Sequence, residues 1–145
     1  MNPLPHEYHV SAEHNETQSL VVSADNLPSL NVSPPIQFGG PGDAWSPEDL
    51  QLAAVSSCLI LSFKAIAAAS HLEWLSISCD TKGTLDKQDR KVCFTAFTTS
   101  VKIGINNEGD RAKAERIIHK ADETCLISNS LNAPAYLIVE IVVKD

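Results

Sequence analysis

The chain has 145 residues, 43% hydrophobic and 20% charged, the balance of a soluble globular protein with a core of useful size. Eighteen acidic against eleven basic residues leave a net charge of −7, which opposes nucleic-acid binding, and no basic residue precedes Lys64. The longest apolar stretch, Leu50 to Ala69, is interrupted by Gln51, Ser56, Ser57, Ser62 and Lys64, so it falls short of the roughly 18 continuous apolar residues of a membrane span.

The first residues, Met1-Asn2-Pro3-Leu4-Pro5-His6-Glu7, lack the basic and apolar regions of a secretory signal, and a cytosolic location is expected. Residues 5 to 11 and 17 to 23 alternate in polarity, with Tyr8, Val10 and Ala12 on one parity and Leu20 and Val22 on another. The alternation predicts a hairpin turning at Glu13-His14-Asn15-Glu16. A short strand is predicted near Leu30 to Val32, and Ser33 to Asp43 is too rich in Pro and Gly for regular structure. Ser46 then opens the best-marked element. Ser46 suits an N-cap, Pro47 the first helical position, and Asp49 completes a capping box, with Glu48 and Asp49 at the positive end of the helix dipole. The helix is predicted to reach about Ser70. Leu50, Ala53, Ala54, Ser57, Cys58, Leu61 and Ala65 share one face and Leu52, Val55, Leu59 and Phe63 a second, so burial nearly all round is expected.

Residues 72 to 85 and 91 to 105 read as strands joined at Asp86-Lys87-Gln88-Asp89-Arg90. Asp110 is a predicted N-cap for a helix through Glu123 that turns Ala114, Ile117, Ile118 and Ala121 inward. Pro134 precedes a terminal strand from Ala135 to Val143. This order predicts one α+β domain over residues 1–145, built on antiparallel sheet.

Four cysteines in a cytosolic chain are free, metal-bound or catalytic more often than bridged. Cys79 and Cys93 form no Cys-x-x-Cys pair and His119 is no better placed, so no metal is expected; both cysteines read as packing residues in strands. Cys58 reads two ways, as a small hydrophobe in a buried helix or as a reactive thiol. Cys125, between a helix end and the polar Ser128-Asn129-Ser130, carries the same two readings.

Taken together, two segments resemble the signature segments of the OsmC/Ohr family of thiol peroxidases. They are Ser46-Pro47-Glu48-Asp49-Leu50 with Cys58 ten residues after Glu48, and Cys125-Leu126-Ile127-Ser128-Asn129-Ser130-Leu131. The element order is similar to that fold from about residue 5 to 143. The resemblance implies an OsmC-like fold in an intertwined homodimer, with two long central helices between two sheets and the active sites at the interface. It implies Cys58 as the peroxidatic thiolate that becomes a sulfenic acid and Cys125 as the thiol that resolves it to a disulfide. It also implies Glu48 as the glutamate that orients an arginine beside the peroxidatic sulfur. The implied partners are a second copy of the chain, an organic hydroperoxide and a dithiol reductant, lipoyl-type in the Ohr branch. No cofactor, nucleic acid or membrane partner is expected. Ten helical residues rise about 15 Å, so a Glu48 that serves Cys58 has to come from the second protomer.

The sequence departs from that family in its cations. The family arginine belongs to the N-terminal strands or the loop before the long helix, whereas the arginines here are Arg90, Arg111 and Arg116. A thiol buried mid-helix needs a cation to ionise, so without that arginine either another donor substitutes or the peroxidase activity is weak. His9 and His14 stand in the N-terminal region as candidates, and as surface histidines on the plainer reading; Asp43 and Trp45 are candidates for a pocket mouth. Leu126 stands where many members have proline. Leu59, Leu61, Phe63 and Ile127 make the surroundings of Cys58 apolar, which favours an organic hydroperoxide. The alternative is a redox sensor or small-ligand-binding protein on the same fold, with little turnover. A hydrolase using Cys58 with His71 is disfavoured by about 20 Å of helix rise between them.

Overall fold

In the computed structural model, which describes residues 1–144, the chain divides into two compact units, residues 1–51 and the part from Leu52 onward. The first unit holds a three-stranded antiparallel sheet, β1 (Ser11–Asn15), β2 (Gln18–Ser23) and β3 (Leu30–Val32), in the order β1-β2-β3. The third strand lies at the predicted residues. The first does not: β1 starts at Ser11, the hairpin turns at Glu16 and Thr17, and Tyr8 and Val10 are exposed. The register explains this, because β2 is six residues long and Ser11 pairs with Ser23 at its end, leaving residues before Ser11 no strand to pair with. Between Ser33 and Asp43 the only helical turn is a 3₁₀ turn at Ile36–Phe38, closed by Gly39 at φ 81°. Trp45 is tied to β3 through its main chain, accepting a hydrogen bond from Ser33 N–H at 2.9 Å, while its side chain is exposed.

The long helix α1 spans Pro47–Ala69. Its start is the predicted capping box: Asp49 N–H donates to Ser46 Oγ at 3.1 Å, and Ser46 N–H and Oγ–H donate back to Asp49 Oδ2 at 3.3 and 2.9 Å. Such a cap contributes about 1 kcal/mol. At the other end His71 adopts the left-handed conformation (φ 54°), so that Leu72 N–H reaches Ala67 O and His71 N–H reaches Ala68 O. That pairing satisfies the last carbonyls and stops the helix, giving His71 a structural task.

The second unit packs α1 and α2 (Arg111–Glu123) with a three-stranded sheet, β4 (Ser76–Gln88), β5 (Lys91–Ile105) and β6 (Ala135–Val143). β4 runs three residues beyond its predicted end. The hairpin needs only Asp89 and Arg90, both at positive φ (49° and 69°), the tight two-residue turn whose twist matches paired strands. β6 joins β5 in parallel, so this sheet is mixed; α2 lies in the crossover that a parallel connection requires. Asp110 precedes α2 but makes no side-chain cap, its place taken by a 3₁₀ turn over Glu108–Asp110. The core joins Leu59, Phe63 and Ala67 to Val101, Ile103 and Ile105 of β5, Ile141 of β6, and Ala114, Ile117, Ile118 and Ala121 of α2. Trp74 meets Phe63 edge-on at 5.7 Å between ring centroids. Truncating the fully buried Phe63 to Ala would cost about 3–5 kcal/mol. Gly83 of β4 leaves room for the helix: a Cβ there would stand 2.7 Å from Leu52 Cδ2.

α1 is not buried all round. Within one chain only Val55, Leu59, Phe63 and Ala67 are buried, a single stripe at every fourth residue. The neighbouring face carries exposed Ser57, Leu61, Ala65 and Ala68, with Leu61 61% exposed. By length and composition this helix also passes for a membrane span, with a mean hydropathy of 1.9 over its most apolar 18 residues.

Candidate functional site

Cys58 lies three turns into α1, half-buried, and Cys125 is buried immediately after α2. The fold brings the two together, close enough that each thiol bears on the ionisation of the other. The chain around Cys125 explains why it can. α2 ends at Thr124, whose hydroxyl bonds back to Lys120 O at 2.8 Å, and the backbone winds into a second short turn. In it Asn129 N–H donates to Cys125 O at 3.0 Å and Ser130 N–H to Ile127 O at 3.0 Å, while Ser130 Oγ–H caps Leu126 O at 2.8 Å. The Asn129 side chain reaches back to Glu123 O at 3.1 Å and closes the loop. The polar run Ser128-Asn129-Ser130 is therefore the brace of the Cys125 turn.

Burial works against ionising Cys58, as for any thiol taken out of water. Against it stand the N–H of Ile127, the S–H of Cys125, the N–H of Leu126 and the O–H of Ser62, and together they hold the Cys58 thiol below its ordinary value. None of these donors carries a charge. Cys125 moves the opposite way: burial pushes it up, and so do its bond to Cys58 and the charge that forms there, in spite of the Ser128 hydroxyl and N–H. The two thiols thus differ in direction: donors ease the ionisation of Cys58, while burial opposes that of Cys125.

Two of these groups are side chains whose spacing is visible in the sequence. Ser62 is four residues after Cys58, one turn along the same helix face. Ser128 is three residues after Cys125. The two amides leave no signal in a sequence, because every residue except proline has one.

Glu48 sits on the first turn of α1, half-buried, with its Oε2 buried and, among the described residues, without a hydrogen-bond partner. His9 and His14 are exposed; His14, Ser33 and Asp43 border a cleft of about 480 Å³ in the first unit. Among the described residues of one chain, no arginine is among the groups that set the ionisation of Cys58. Arg111 is engaged by Glu108, at 2.6 and 3.0 Å, and by Ile141 O at 2.9 Å, Arg90 forms the hairpin turn, and Arg116 lies exposed on α2.

The family profile of OsmC-like proteins matches residues 40–140, a stretch that holds both cysteine segments. The chain belongs to the OsmC family. Among curated proteins, the uncharacterized YmaD of Bacillus subtilis shares 23% identity over 117 residues, 79% of this chain and 78% of its own. Among solved structures, this OsmC-like chain superposes on an OsmC-like protein of unknown function from Vibrio cholerae with a TM-score of 0.81 at 20% identity, covering 95% of this chain and all of that one. An organic hydroperoxide resistance protein from Legionella pneumophila gives 0.74 at 21% identity, covering 97% and 100%. OhrB of Bacillus subtilis, also an organic hydroperoxide resistance protein, gives 0.67 at 18% identity, covering 94% and 98%. At these identities the likeness is one of fold, and it bears out the α+β, OsmC-like architecture expected from the sequence.

Proposed function

We propose that this OsmC-family chain reduces organic hydroperoxides with Cys58 as the peroxidatic thiolate and Cys125 as the resolving thiol. The observation that carries the proposal is that both cysteine segments lie in the stretch that matches the OsmC family and that the fold brings the two free thiols close enough to bear on one another. The Cys58 thiolate attacks one peroxide oxygen; the S–O bond forms as the O–O bond breaks, and the alkoxide leaves to be protonated as the alcohol. Sulfur is oxidised by two electrons to the sulfenic acid and the peroxide is reduced by two. The Cys125 sulfur then attacks the Cys58 sulfur, the S–S bond forms, and hydroxide departs with the Cys125 proton as water. A dithiol of the lipoyl kind returns the disulfide to two thiols by two exchanges and ends as its own disulfide. The exposed side chains of Leu61, Leu126 and Ile127, on the residues around the sulfur, favour an apolar peroxide.

The working form in this reading is a homodimer. Ser57, Leu61, Ala65 and Ala68 give α1 an exposed face at helical spacing, small enough for a second helix to approach, and a second copy of the chain is the occupant it suits. Glu48 acts at the Cys58 site of the opposite protomer, and its buried Oε2, in want of a donor, is the feature that supports this. Sedimentation should give a dimer, and Leu61→Asp should give monomers with much reduced turnover; a native monomer that turns over would end the dimer reading.

The direct test of the chemistry is a thiol count with peptide mapping, before and after one equivalent of cumene hydroperoxide. Rapid loss of two of the four thiols to a Cys58–Cys125 disulfide supports the proposal. Four thiols persisting for many minutes would instead favour a slow redox sensor or a ligand-binding member of the family.

A further inference from the structure

The side of α1 that meets β4 is held by more than apolar contact. Leu52 overhangs Gly83, and one helical turn further on Ser56 meets Thr81, with 2.6 Å between the hydroxyl oxygens. Four residues of helix rise about 6 Å and two residues of strand span about 6.6 Å, so helix and strand keep step here. Thr81 faces Thr99 across the β4–β5 pair, with 3.2 Å between their hydroxyl oxygens, and Thr99 is buried. Ser56 also donates to Leu52 O at 3.0 Å. Each hydroxyl has one proton, so a single assignment makes all three bonds: Thr99 donates to Thr81, Thr81 to Ser56, and Ser56 to Leu52 O. The neighbouring Ser57 turns its hydroxyl only to its own helix, at Ala53 O and Ala54 O. Among the described residues, no other hydrogen bond joins α1 to this sheet.

The rest of that interface is apolar, with Leu59, Phe63 and Ala67 clustered against Val101, Ile103, Ile105 and Ile141. Apolar burial is non-directional, and it sets how firmly the helix is held more than its turn about its own axis. Cys58 lies two residues past Ser56, about 3 Å along that axis and about 200° round it. A turn of about 20° moves a side-chain tip at roughly 5 Å radius by about 2 Å, the length of an S–S bond. We propose that Ser56, Thr81 and Thr99 are positioning residues, a hydroxyl key that fixes the rotation and register of α1 on the sheet and so sets the approach of Cys58 to Cys125. Apolar groups of the same shape could replace all three hydroxyls and leave none of them orphaned, so their net contribution to stability is small. What they add is direction. The role rests on Cys58 and Cys125 working as the pair proposed above.

The test is the rate at which oxidised glutathione closes the Cys58–Cys125 disulfide in the full-length chain, read by quenching and peptide mass. Two exchanges form the protein S–S bond and release two molecules of reduced glutathione, so no peroxide is needed. The variants are Thr81→Val, Thr81→Ser and the triple variant Ser56→Ala, Thr81→Val, Thr99→Val. Thr81→Val should slow closure about tenfold, set against the roughly hundredfold that a 1 Å misplacement can cost. Alkylation of its Cys58 by iodoacetamide should keep the native rate, since that reaction needs no second sulfur. Thr81→Ser, which keeps the hydroxyl, should close like the native chain. The triple variant leaves no hydroxyl orphaned, so it should melt near the native temperature and still close slowly, a pairing that mere structural support would not produce. Should Thr81→Val not fold, the triple variant decides. Closure at the native rate in the triple variant, or slow closure that Thr81→Ser fails to restore, would overturn the proposal. Peroxide consumption measured on the same samples separates this from the peroxidase proposal. A native chain that closes the disulfide, with slowed variants but no consumption, loses the peroxidase and keeps the key; one that consumes peroxide with variants closing like the native loses the key and keeps the peroxidase.

Discussion

Cys58 and Cys79 start from similar circumstances. Each is half-buried, one on the long helix and one on the strand β4 packed in the same unit, and burial acts on both thiols in the same direction. Cys79 follows burial: with the Asp80 carboxylate next to it the thiol is pushed up to about 11. Cys58 ends below its ordinary value because four donors converge on its sulfur. The lesson is that burial alone does not set how readily a thiol ionises in this chain; the donors and charges beside it decide the direction.

The strongest way to break that comparison is to exchange the consequences. Cys58→Ser should reduce peroxide consumption to background, since an alcohol is not ionised at neutral pH, while Cys79→Ser should leave the turnover unchanged. Both are read by following loss of cumene hydroperoxide with a dithiol present. Activity retained in Cys58→Ser, or lost in a folded Cys79→Ser, would show that the donors around Cys58 serve packing and that the chemistry lies elsewhere.

A smaller effect comes from separating the two steps in pH. Cys58 is drawn down, so its attack should level off at a lower pH than that of an ordinary thiol. Cys125 is pushed up, so closing the disulfide should continue to accelerate with pH above that point. The sulfenic acid therefore accumulates on the acidic side, and trapping with dimedone should recover more Cys58 adduct at pH 6 than at pH 8. In Cys125→Ser the adduct should form at both values and no intramolecular disulfide should appear. Equal trapping of the native chain across that range would mean the two thiols are not set apart.

Much of the scaffold is legible in the sequence because it is written in side chains. The Ser46–Asp49 box, Pro47 and the inward face of α2 each appear in the structure at the residues that predicted them. The parallel pairing of β6 was not legible, since an alternating strand carries the same pattern in either direction. Nor was the exposure of Leu61 and Ala65, because an apolar face records that something covers it and not whether the cover belongs to the same chain. The cysteine pair became visible through resemblance to a family; on the residues alone Cys58 and Cys79 are both cysteines among apolar neighbours. What divides them is two backbone amides and a serine one turn away, and only the folded chain brings the amides of Leu126 and Ile127 to the helix.

The finest probe of the comparison acts on Cys79. Its rise has two causes, burial first and the Asp80 charge second. Asp80→Asn removes the charge, keeps the shape and leaves the burial, so the Cys79 midpoint should fall from about 11 yet stay above the ordinary thiol value. Asp80 lies on the exposed side of β4 opposite Ser100, so the substitution should cost little stability. Alkylation of Cys79 should quicken modestly while Cys79 remains far slower than Cys58. If instead Asp80→Asn brought Cys79 down to the reactivity of Cys58, charge rather than donors would be what separates the two thiols, and the uncharged donor set around Cys58 would lose its explanatory place. A Cys79 that stays slow without its acidic neighbour leaves the donors as the difference, since the remaining contrast is between one sulfur that four groups reach and one with no donor among the groups that set its ionisation.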